Sequence, residues 1–261
     1  MYHRAKKSLG QNFLKSAKAL SDIILAGEIT KKDTVLEIGP GKGALTEKLL
    51  EHAGKVIAIE KDRDLVVYLQ DHFANEAEEQ RFELLEGDVL EFDTKTLKKP
   101  YKIIANIPYN ITGAILKQFL TATHQPERMV LLVQKEVAER IVARDSNESI
   151  LSLSVKAYGM PKIISKVPAR YFNPAPKVDS AIIAITAISR KAFKNSEEEL
   201  LFFTIIKAGF AHKRKMLLSN LKESLPDIDW SVIFEKNSLS KTIRAEKVSL
   251  EIWLTLMEQI H

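Results

Sequence analysis

The sequence predicts an α/β fold: a mostly parallel sheet with helices on both faces, followed by a small C-terminal α-helical domain. Short apolar segments of strand length alternate with amphipathic segments of helix length over the first two-thirds of the chain. Strands that are separated by helical crossovers pair in parallel, and this arrangement covers both faces of the sheet. After residue 189 the apolar residues recur with helical spacing, so the rest of the chain is predicted to be helical.

The predicted strands and helices follow one another in a regular order. The first strand is DTVLEIG at 33–39, and the others lie at 55–60, 82–87, 101–106, 128–134 and 180–188. Helices are predicted at 44–53, 62–73, 112–122 and 135–143, and then at 200–211, 214–225 and 249–260. The polar segment 189–199 reads as a linker or the start of a helix. We therefore divide the chain into two domains, 1–189 and 190–261.

Composition is that of an ordinary soluble protein. The chain has 261 residues, of which 45% are hydrophobic and 28% are charged, and this length accommodates one large and one small domain. It contains no apolar run near the ~18 residues that a membrane span needs, and its start lacks a signal-peptide pattern. Because there is no cysteine, disulfides and thiolate metal sites are excluded, and a reducing cytoplasm fits.

The net charge of +5 is unevenly placed along the chain. Each of two segments, 1–21 and 200–222, contains five basic residues and no acidic one. The basic residues are Arg4, Lys6, Lys7, Lys15 and Lys18 in the first segment, and Lys207, Lys213, Arg214, Lys215 and Lys222 in the second. This pattern is consistent with a surface that binds a polyanion, and equally with two solvated helix faces.

A glycine-rich turn follows the first predicted strand, with glycines at 39, 41 and 43. Glycines at a strand-to-helix turn let a ligand approach the backbone closely, and Glu60 at the end of the next strand can accept both hydroxyls of a ribose. The same spacing also satisfies the G-x-G-x-x-[GA] pattern of nicotinamide and flavin dinucleotide sites. A turn without any ligand is the third interpretation.

Two further acidic residues favour S-adenosylmethionine as the ligand. Glu37 lies two residues before Gly39, where it could orient the loop or reach the ammonium group of the cofactor. Asp88 follows the third strand, so it lies at the carboxyl edge of the sheet and can accept from the exocyclic amine of an adenine. Asp88 could equally cap a helix or turn. The joint arrangement of Glu37, Gly39, Glu60 and Asp88 carries the interpretation.

The tetrapeptide Asn106-Ile107-Pro108-Tyr109 ends the fourth strand at the same edge. Taken alone, it would be a strand-ending turn, because Pro108 cannot continue a ladder. Beside a sulfonium donor, however, it resembles the [ND]-x-P-Y loop of class I methyltransferases that modify amino groups. The Asn106 oxygen and the Ile107 carbonyl could bind the hydrogens of a planar amino group, with the carbonyl direction fixed by Pro108. Tyr109 would stack on the base.

Several longer motifs follow one another along the chain, and the resemblance that they carry covers essentially its whole length. They are KSLGQNFL (7–14), EIGPGKGALT (37–46), NIPYNIT (106–112), YFNPAPKVDSA (171–181), FAHKRKMLLSNL (210–221) and RAEKVSLEIWLTLM (244–257). By these motifs the chain closely resembles the ribosomal small-subunit RNA adenine dimethyltransferases, the KsgA family. The resemblance implies a Rossmann-like class I methyltransferase domain at 1–189 and a helical rRNA-binding domain at 190–261.

The resemblance also implies the substrate and the cofactor. Two adjacent adenines in the 3′-terminal hairpin of 16S rRNA would each receive two methyl groups at N6 from S-adenosylmethionine, late in small-subunit assembly. No metal is required, and a cytoplasmic monomer is expected. The implied cofactor contacts are Asn12, Leu14, Gly39, Glu60, Asp88 and Asn106.

The implied catalytic residues are Asn106, Ile107, Pro108, Tyr109 and Phe172. Phe172 would pack beside an extruded adenine opposite Tyr109, and the prolines at 174 and 176 predict an extended, exposed segment there. Alternatively, Phe172 belongs to the core, and Asn12 belongs to a turn at a helix start.

Four other functions remain open at this point. Ile107 is more typical of the Erm-type 23S rRNA resistance methyltransferases, which are the first alternative. A dinucleotide-dependent oxidoreductase, a glutamine-amide methyltransferase and a subunit-assembly factor that acts mainly by binding are the others.

Overall fold

A computed structural model describes residues 5–6, 9–97, 100–143 and 147–260. Within these residues the chain divides into two compact units. The first contains the chain up to Ala138 and Met160–Ile188, and the second contains 139–159 and the chain from Ser189 onward. Arg4 and Lys7 of the N-terminal basic segment lie outside the described residues.

Nine strands are described, all in the first unit. They are β1 (Phe13–Leu14), β2 (Thr34–Ile38), β3 (Lys55–Glu60), β4 (Phe82–Glu86), β5 (Lys102–Asn106), β6 (Arg128–Gln134), β7 (Met160–Val167), β8 (Phe172–Asn173) and β9 (Ser180–Thr186). The described helices up to residue 141 are α1 (Ala17–Gly27), α2 (Ala44–His52), α3 (Arg63–His72), α4 (Ala74–Glu78), α5 (Thr112–Leu120) and α6 (Lys135–Ile141).

Seven of these strands form one sheet in the order β4-β3-β2-β5-β6-β9-β7. The first five strands run parallel to one another, whereas β9 runs antiparallel to both β6 and β7. The central strands are buried on both faces, as the apolar runs predict: Val35, Ile103 and Leu131 are fully inaccessible. The strand order reverses between β2 and β5, and such a switch point opens a crevice at the carboxyl ends of the strands.

Strand β7 was not predicted from the sequence. Its residues alternate between exposed and half-buried, because it lies at the edge of the sheet and pairs only with β9 among the described strands. Pro161 in its second position is tolerated at such an edge. This segment lacks the apolar spacing of a helix, and its alternation of apolar and polar residues is weak. The sequence therefore did not distinguish this strand from a loop.

The second unit is helical, as expected for the end of the chain. Its helices are α7 (Ile150–Lys156), α8 (Ser196–Gly209), α9 (Leu217–Ser224), α10 (Trp230–Lys236) and α11 (Leu250–Glu258). Phe202, Trp230 and Trp253 are fully buried in its core. No helix in the described part of the chain combines the length and apolar character that a membrane crossing requires.

The division of the chain differs from the two continuous domains drawn from the sequence, because 139–159 groups with the second unit. Helix α7 in this insertion packs against α8. The Tyr158 hydroxyl donates to the Glu199 carboxylate, and the Ser189 amide donates to the Tyr158 carbonyl at 2.8 Å. These contacts join segments about 30 to 40 residues apart in the chain, and apolar periodicity carries no information about such pairings.

Candidate active site

A pocket opens at the carboxyl edge of the sheet, at the switch point between β2 and β5. Its walls come from residues 9–13, the glycine turn, the end of β3, residues 87–89 and residues 106–111. The structure therefore brings most of the sequence-predicted residues together. Those that line this pocket are Asn12, Gly39, Glu60, Asp88, Asn106, Ile107, Pro108 and Tyr109.

The glycine turn leaves open space for a ligand. Gly39 has φ +68°, a conformation that side chains other than glycine rarely adopt, and a Cβ at this position would meet no atom within 4 Å. Gly87 directly follows β4, and a Cβ at this position would likewise meet no atom within 4 Å. A planar or ribose-sized group can therefore approach the backbone at both loops.

Glu60 is the best-anchored carboxylate of the pocket. Its Oε2 accepts from the Gly41 amide at 3.1 Å, and its Oε1 accepts from the Asp62 amide at 2.9 Å. Burial raises the pKa of Glu60, although these amide bonds act in the opposite direction. The two bonds fix the carboxylate at the end of β3, where it faces the pocket.

Asp88 caps a turn, which is one of the two roles that the sequence left open, and it also lines the pocket. Its Oδ1 accepts from the Leu90 amide at 2.9 Å and so caps the 3₁₀ turn Val89–Glu91, while its Oδ2 accepts from the Lys61 ammonium at 2.7 Å. The Lys61 hydrogen bond holds the pKa of Asp88 below its usual value. The side chain is therefore a fixed, ionised acceptor that also lines the pocket.

Glu37 is not among the residues that line the pocket. It is 1% exposed, and its Oε2 accepts from the Thr46 hydroxyl at 2.6 Å. Because Glu37 is on β2 and Thr46 is on α2, this bond closes the two ends of the glycine turn. Of the two roles considered for Glu37, the structure supports the orientation of the loop.

The side chain of Asn106 is held by the N-terminal segment. Its Nδ2 donates to the backbone carbonyl of Asn12 at 3.1 Å. Among the described residues no group donates to its Oδ1, and the Ile107 carbonyl likewise accepts no hydrogen bond. The amide nitrogen is therefore occupied, and two oxygen acceptors remain at the end of β5.

Tyr109 is positioned by a residue that the sequence analysis did not single out. Its hydroxyl is hydrogen-bonded to the Ser180 hydroxyl at 2.6 Å, and Ser180 is fully buried on β9. Burial raises the pKa of Tyr109, so the phenol stays neutral. The only sequence signal for Ser180 was its place within the motif YFNPAPKVDSA.

The expectation of an exposed aromatic ring at 172 is wrong. Phe172 is 3% exposed, and its strand β8 pairs with β1 so that Leu14 lies opposite. Both side chains belong to the apolar core of the first unit, and neither lines the pocket. The backbone at Phe172 is extended, as the following prolines favour, but burial of two large apolar groups at paired positions places the ring in the core and not in solvent. Leu14 instead lines a neighbouring cavity with Asn106 and Lys42.

Known proteins are similar to this chain in sequence and in fold. The family described as Ribosomal RNA adenine dimethylase matches residues 2–261. The Ribosomal RNA small subunit methyltransferase A of Dehalococcoides mccartyi is 42% identical over 97% of this chain and 87% of its own. The protein of the same name from Rippkaea orientalis is 39% identical over 95% of both chains.

Solved structures agree with these relatives. A dimethyladenosine transferase from Plasmodium falciparum has a TM-score of 0.79 and 29% identity, covering 95% of this chain and 96% of its own. The 23S rRNA methyltransferase ErmE has a TM-score of 0.78 and 25% identity, covering 95% of this chain and 99% of its own.

The sheet order, the glycine turn and the Asn-Ile-Pro-Tyr loop at the end of β5 define a class I methyltransferase. More particularly, the chain belongs to the ribosomal RNA adenine dimethylase family. Its activity is therefore methyl transfer to adenine of ribosomal RNA, and not the oxidoreductase chemistry that the glycine pattern alone left open. Modification of a glutamine amide in a protein is likewise set aside.

The buried carboxyl of Glu37 should make the stability of the protein depend on pH. Burial raises its pKa to about 8 from 4.5, so between these values the folded state holds a proton that the unfolded state releases. The stability that Glu37 contributes is therefore full below about pH 4.5 and is lost as the pH rises toward about 8.

We expect Glu37→Gln to remove this loss, because glutamine cannot ionise and still offers an acceptor to Thr46. Relative to wild type, the variant should gain about 2–4 kcal/mol of unfolding free energy between about pH 5 and pH 8. Urea unfolding followed by circular dichroism at several pH values measures the difference. A difference that does not change with pH would contradict the assignment.

Proposed function

We propose that this chain transfers methyl groups from S-adenosylmethionine to N6 of two adjacent adenines in the 3′-terminal hairpin of 16S rRNA. Each adenine would receive two methyl groups, late in assembly of the small ribosomal subunit. The relatives that support this substrate are named for the small subunit and are 38–42% identical to the chain. The same proposal takes the protein to be a cytoplasmic monomer that acts on free subunits. Light scattering measures its oligomeric state.

The observation that carries the proposal is the arrangement of acceptors at the end of β5. An adenine amino group is a poor nucleophile, because its lone pair is delocalised into the ring. The Asn106 Oδ1 and the Ile107 carbonyl are two acceptors without donors of their own among the described residues. Binding both amino hydrogens would draw the nitrogen toward tetrahedral geometry and localise its lone pair.

The residues of the pocket fit the cofactor. Open space at Gly39 and Gly87 would admit the adenosyl group, Glu60 would accept from the ribose hydroxyls, and Asp88 would accept from the adenine amine. Asn12, Leu14 and Asn106 would then contact the amino-acid end. When bound, S-adenosylmethionine supplies an electrophilic methyl group on a sulfonium that departs as a neutral thioether.

The protein's own part in the reaction is positioning. Pro108 has φ −58° and ψ 132°, which fixes the direction of the preceding carbonyl, and Tyr109 would stack on the extruded base. The methylated nitrogen is strongly acidic and releases its proton to water, so no strong general base is needed. Orientation alone can supply an effective molarity of ~10⁵ M or more. The resemblance places Phe172 beside the base opposite Tyr109, but Phe172 is 3% exposed, so contact with the base would require its ring to become accessible.

Recognition of RNA is assigned to exposed cations. In the second unit, Asn220 is buried and donates to the carbonyls of Gly209 and His212 at 2.7 and 3.1 Å, which fixes the loop between α8 and α9. Lys213 and Arg214 are exposed on this loop, whereas Lys215 pairs with Glu223 at 2.6 Å.

The basic N-terminal segment has less charge to offer than its sequence suggests. Lys6 binds Asp62 and Asp64, and Lys18 pairs with Asp22 at 3.2 Å. The loop at 210–216 is therefore the better candidate for a phosphate-binding surface.

Methylation of 23S rRNA is the second candidate, because the ErmE structure superposes on nearly the whole chain. A role carried mainly by binding to immature subunits is the third. The higher identity to small-subunit enzymes favours the first candidate. Growth of a strain that carries a binding-competent but inactive variant separates enzymatic from purely structural roles.

Asn106→Ala should abolish methyl transfer and leave RNA affinity nearly unchanged, because the side chain acts on the reacting nitrogen and the donor and not on the RNA phosphates. The assay measures transfer of tritiated methyl groups to small subunits that lack the modification, with large subunits as the substrate control. Filter binding of RNA is measured in parallel. Turnover by the variant at the wild-type rate would exclude the proposed role, and labelling of large subunits alone would favour the 23S alternative.

Replacement of Lys213 and Arg214 by alanine should weaken RNA binding and reduce the slope of log K against log salt by about one to two. Two phosphate contacts are lost, and fewer counterions are then released. The matched control is Lys236→Ala, an exposed lysine of the same unit on α10. Equal salt slopes for the double variant and this control would show that the loop does not contact phosphates.

A further inference from the structure

Residues 9–14 form a strap that contacts three loops of the pocket. Gly10 packs beside the catalytic loop, since a Cβ there would lie 3.5 Å from the Cβ of Pro108. The Asn12 carbonyl accepts from Asn106 at 3.1 Å. Phe13 packs on the glycine turn, where a Cβ on Gly41 would lie 3.0 Å from the Phe13 ring. One segment therefore touches both the cofactor loops and the catalytic amide.

The strap is fastened by a carboxylate that the catalytic assignment does not use. Gln11 Nε2 donates to Asp62 Oδ2 at 2.7 Å, and Lys6 Nζ donates to Asp62 Oδ1 at 2.5 Å. The Lys6 amide donates in turn to Gln11 Oε1 at 2.8 Å. The two bonds to Asp62 span more than 50 residues of sequence, and they hold the strap against the loop that follows β3.

Asp62 is suited to this task because it is rigid and buried. It is 2% exposed, its Oδ1 caps α3 by accepting from the Asp64 amide at 3.2 Å, and its own amide donates to Glu60 Oε1. Burial acts to raise the pKa of Asp62, but the hydrogen bonds from Lys6 and Gln11 outweigh it and keep the carboxyl ionised. A buried carboxylate of this kind depends on its partners.

We propose that Gln11 and Asp62 are positioning residues for methyl transfer. They fix the strap so that the Asn12 carbonyl holds the Asn106 amide with its oxygen toward the adenine amino group. The path runs from Asp62 through Gln11 and Asn12 to Asn106, one hydrogen bond or peptide at each step. This inference rests on the proposed function, because it requires Asn106 to act on the reacting amino group.

The role proposed for Gln11 and Asp62 can be recognised from the single-turnover rate. If the strap served only as a wall of the pocket, its release would weaken donor binding and leave the rate at saturating donor unchanged. Release of the Asn12–Asn106 bond, in contrast, lets the amide turn and lowers the rate even when donor and RNA are saturating. Misplacement of a catalytic group by ~1 Å can cost about 100-fold in rate.

The variants are Gln11→Ala, Gln11→Met, Asp62→Ser and the double variant Gln11→Ala with Asp62→Ser. Methionine keeps the bulk of glutamine and removes its hydrogen bonds. Serine preserves an acceptor for the helix cap but does not reach the strap. Lys48→Ala is the matched control, because it removes an exposed ion pair with Glu51 on α2 and does not line the pocket.

For each variant, three quantities are measured: the single-turnover rate at saturating donor and RNA, the dissociation constant of S-adenosylmethionine, and the urea midpoint. We expect both Gln11 variants to lose about 10- to 100-fold in the single-turnover rate. Their urea midpoints should fall only slightly, because Lys6 still binds Asp62, and the double variant should be no slower than Asp62→Ser. The Lys48 control should match wild type.

Wild-type single-turnover rates in the Gln11 variants would overturn this proposal. It would also be overturned if the rate losses of the two single variants multiplied in the double variant. Should Asp62→Ser fail to fold, the two Gln11 variants decide the question by themselves. Failure of the proposed function is distinguishable, because wild-type protein would then transfer no methyl group to small subunits at all.

Discussion

The hydrogen bond from Asn106 Nδ2 to the Asn12 carbonyl is the constraint on which the site depends. A carboxamide can present either its nitrogen or its oxygen, and only the oxygen can bind an amino group. By occupying the nitrogen, the Asn12 backbone determines which atom faces a substrate. The Ile107 carbonyl adds a second acceptor whose direction Pro108 fixes. In the proposed reaction, no ionisable group then needs to change its state.

The sheet places these atoms where a cofactor and a base can meet. Reversal of strand order between β2 and β5 opens the crevice, and the carboxyl ends of β2, β3, β4 and β5 with the residues that follow them all line it. The strap at residues 9–14, which precedes the sheet in the chain, forms another wall of the pocket. The buried carboxyl groups of Glu37 and Asp62 hold the loops through hydrogen bonds from Thr46 and from Gln11 and Lys6, because a buried polar group without its partners is costly.

Much of this arrangement could be predicted from the sequence, and the reason is local. Gly39, Glu60, Asp88 and Asn106 each follow a strand, and parallel strands end at the same edge of a sheet. The partners of these residues could not be predicted in the same way. Ser180 lies 71 residues from Tyr109, and Gln11 lies 51 residues from Asp62. Pairings of this range depend on tertiary packing, as do the burial of Phe172 and the grouping of 139–159 with the helical unit.

A crystal structure of the protein with S-adenosylhomocysteine and an RNA hairpin that carries the two adenines tests the central claim most directly. The account predicts that the N6 atom of one adenine lies within hydrogen-bond distance of both Asn106 Oδ1 and the Ile107 carbonyl. Asn106 Nδ2 should remain on the Asn12 carbonyl. An adenine held elsewhere, or an Asn106 amide turned with its nitrogen toward the base, would contradict it.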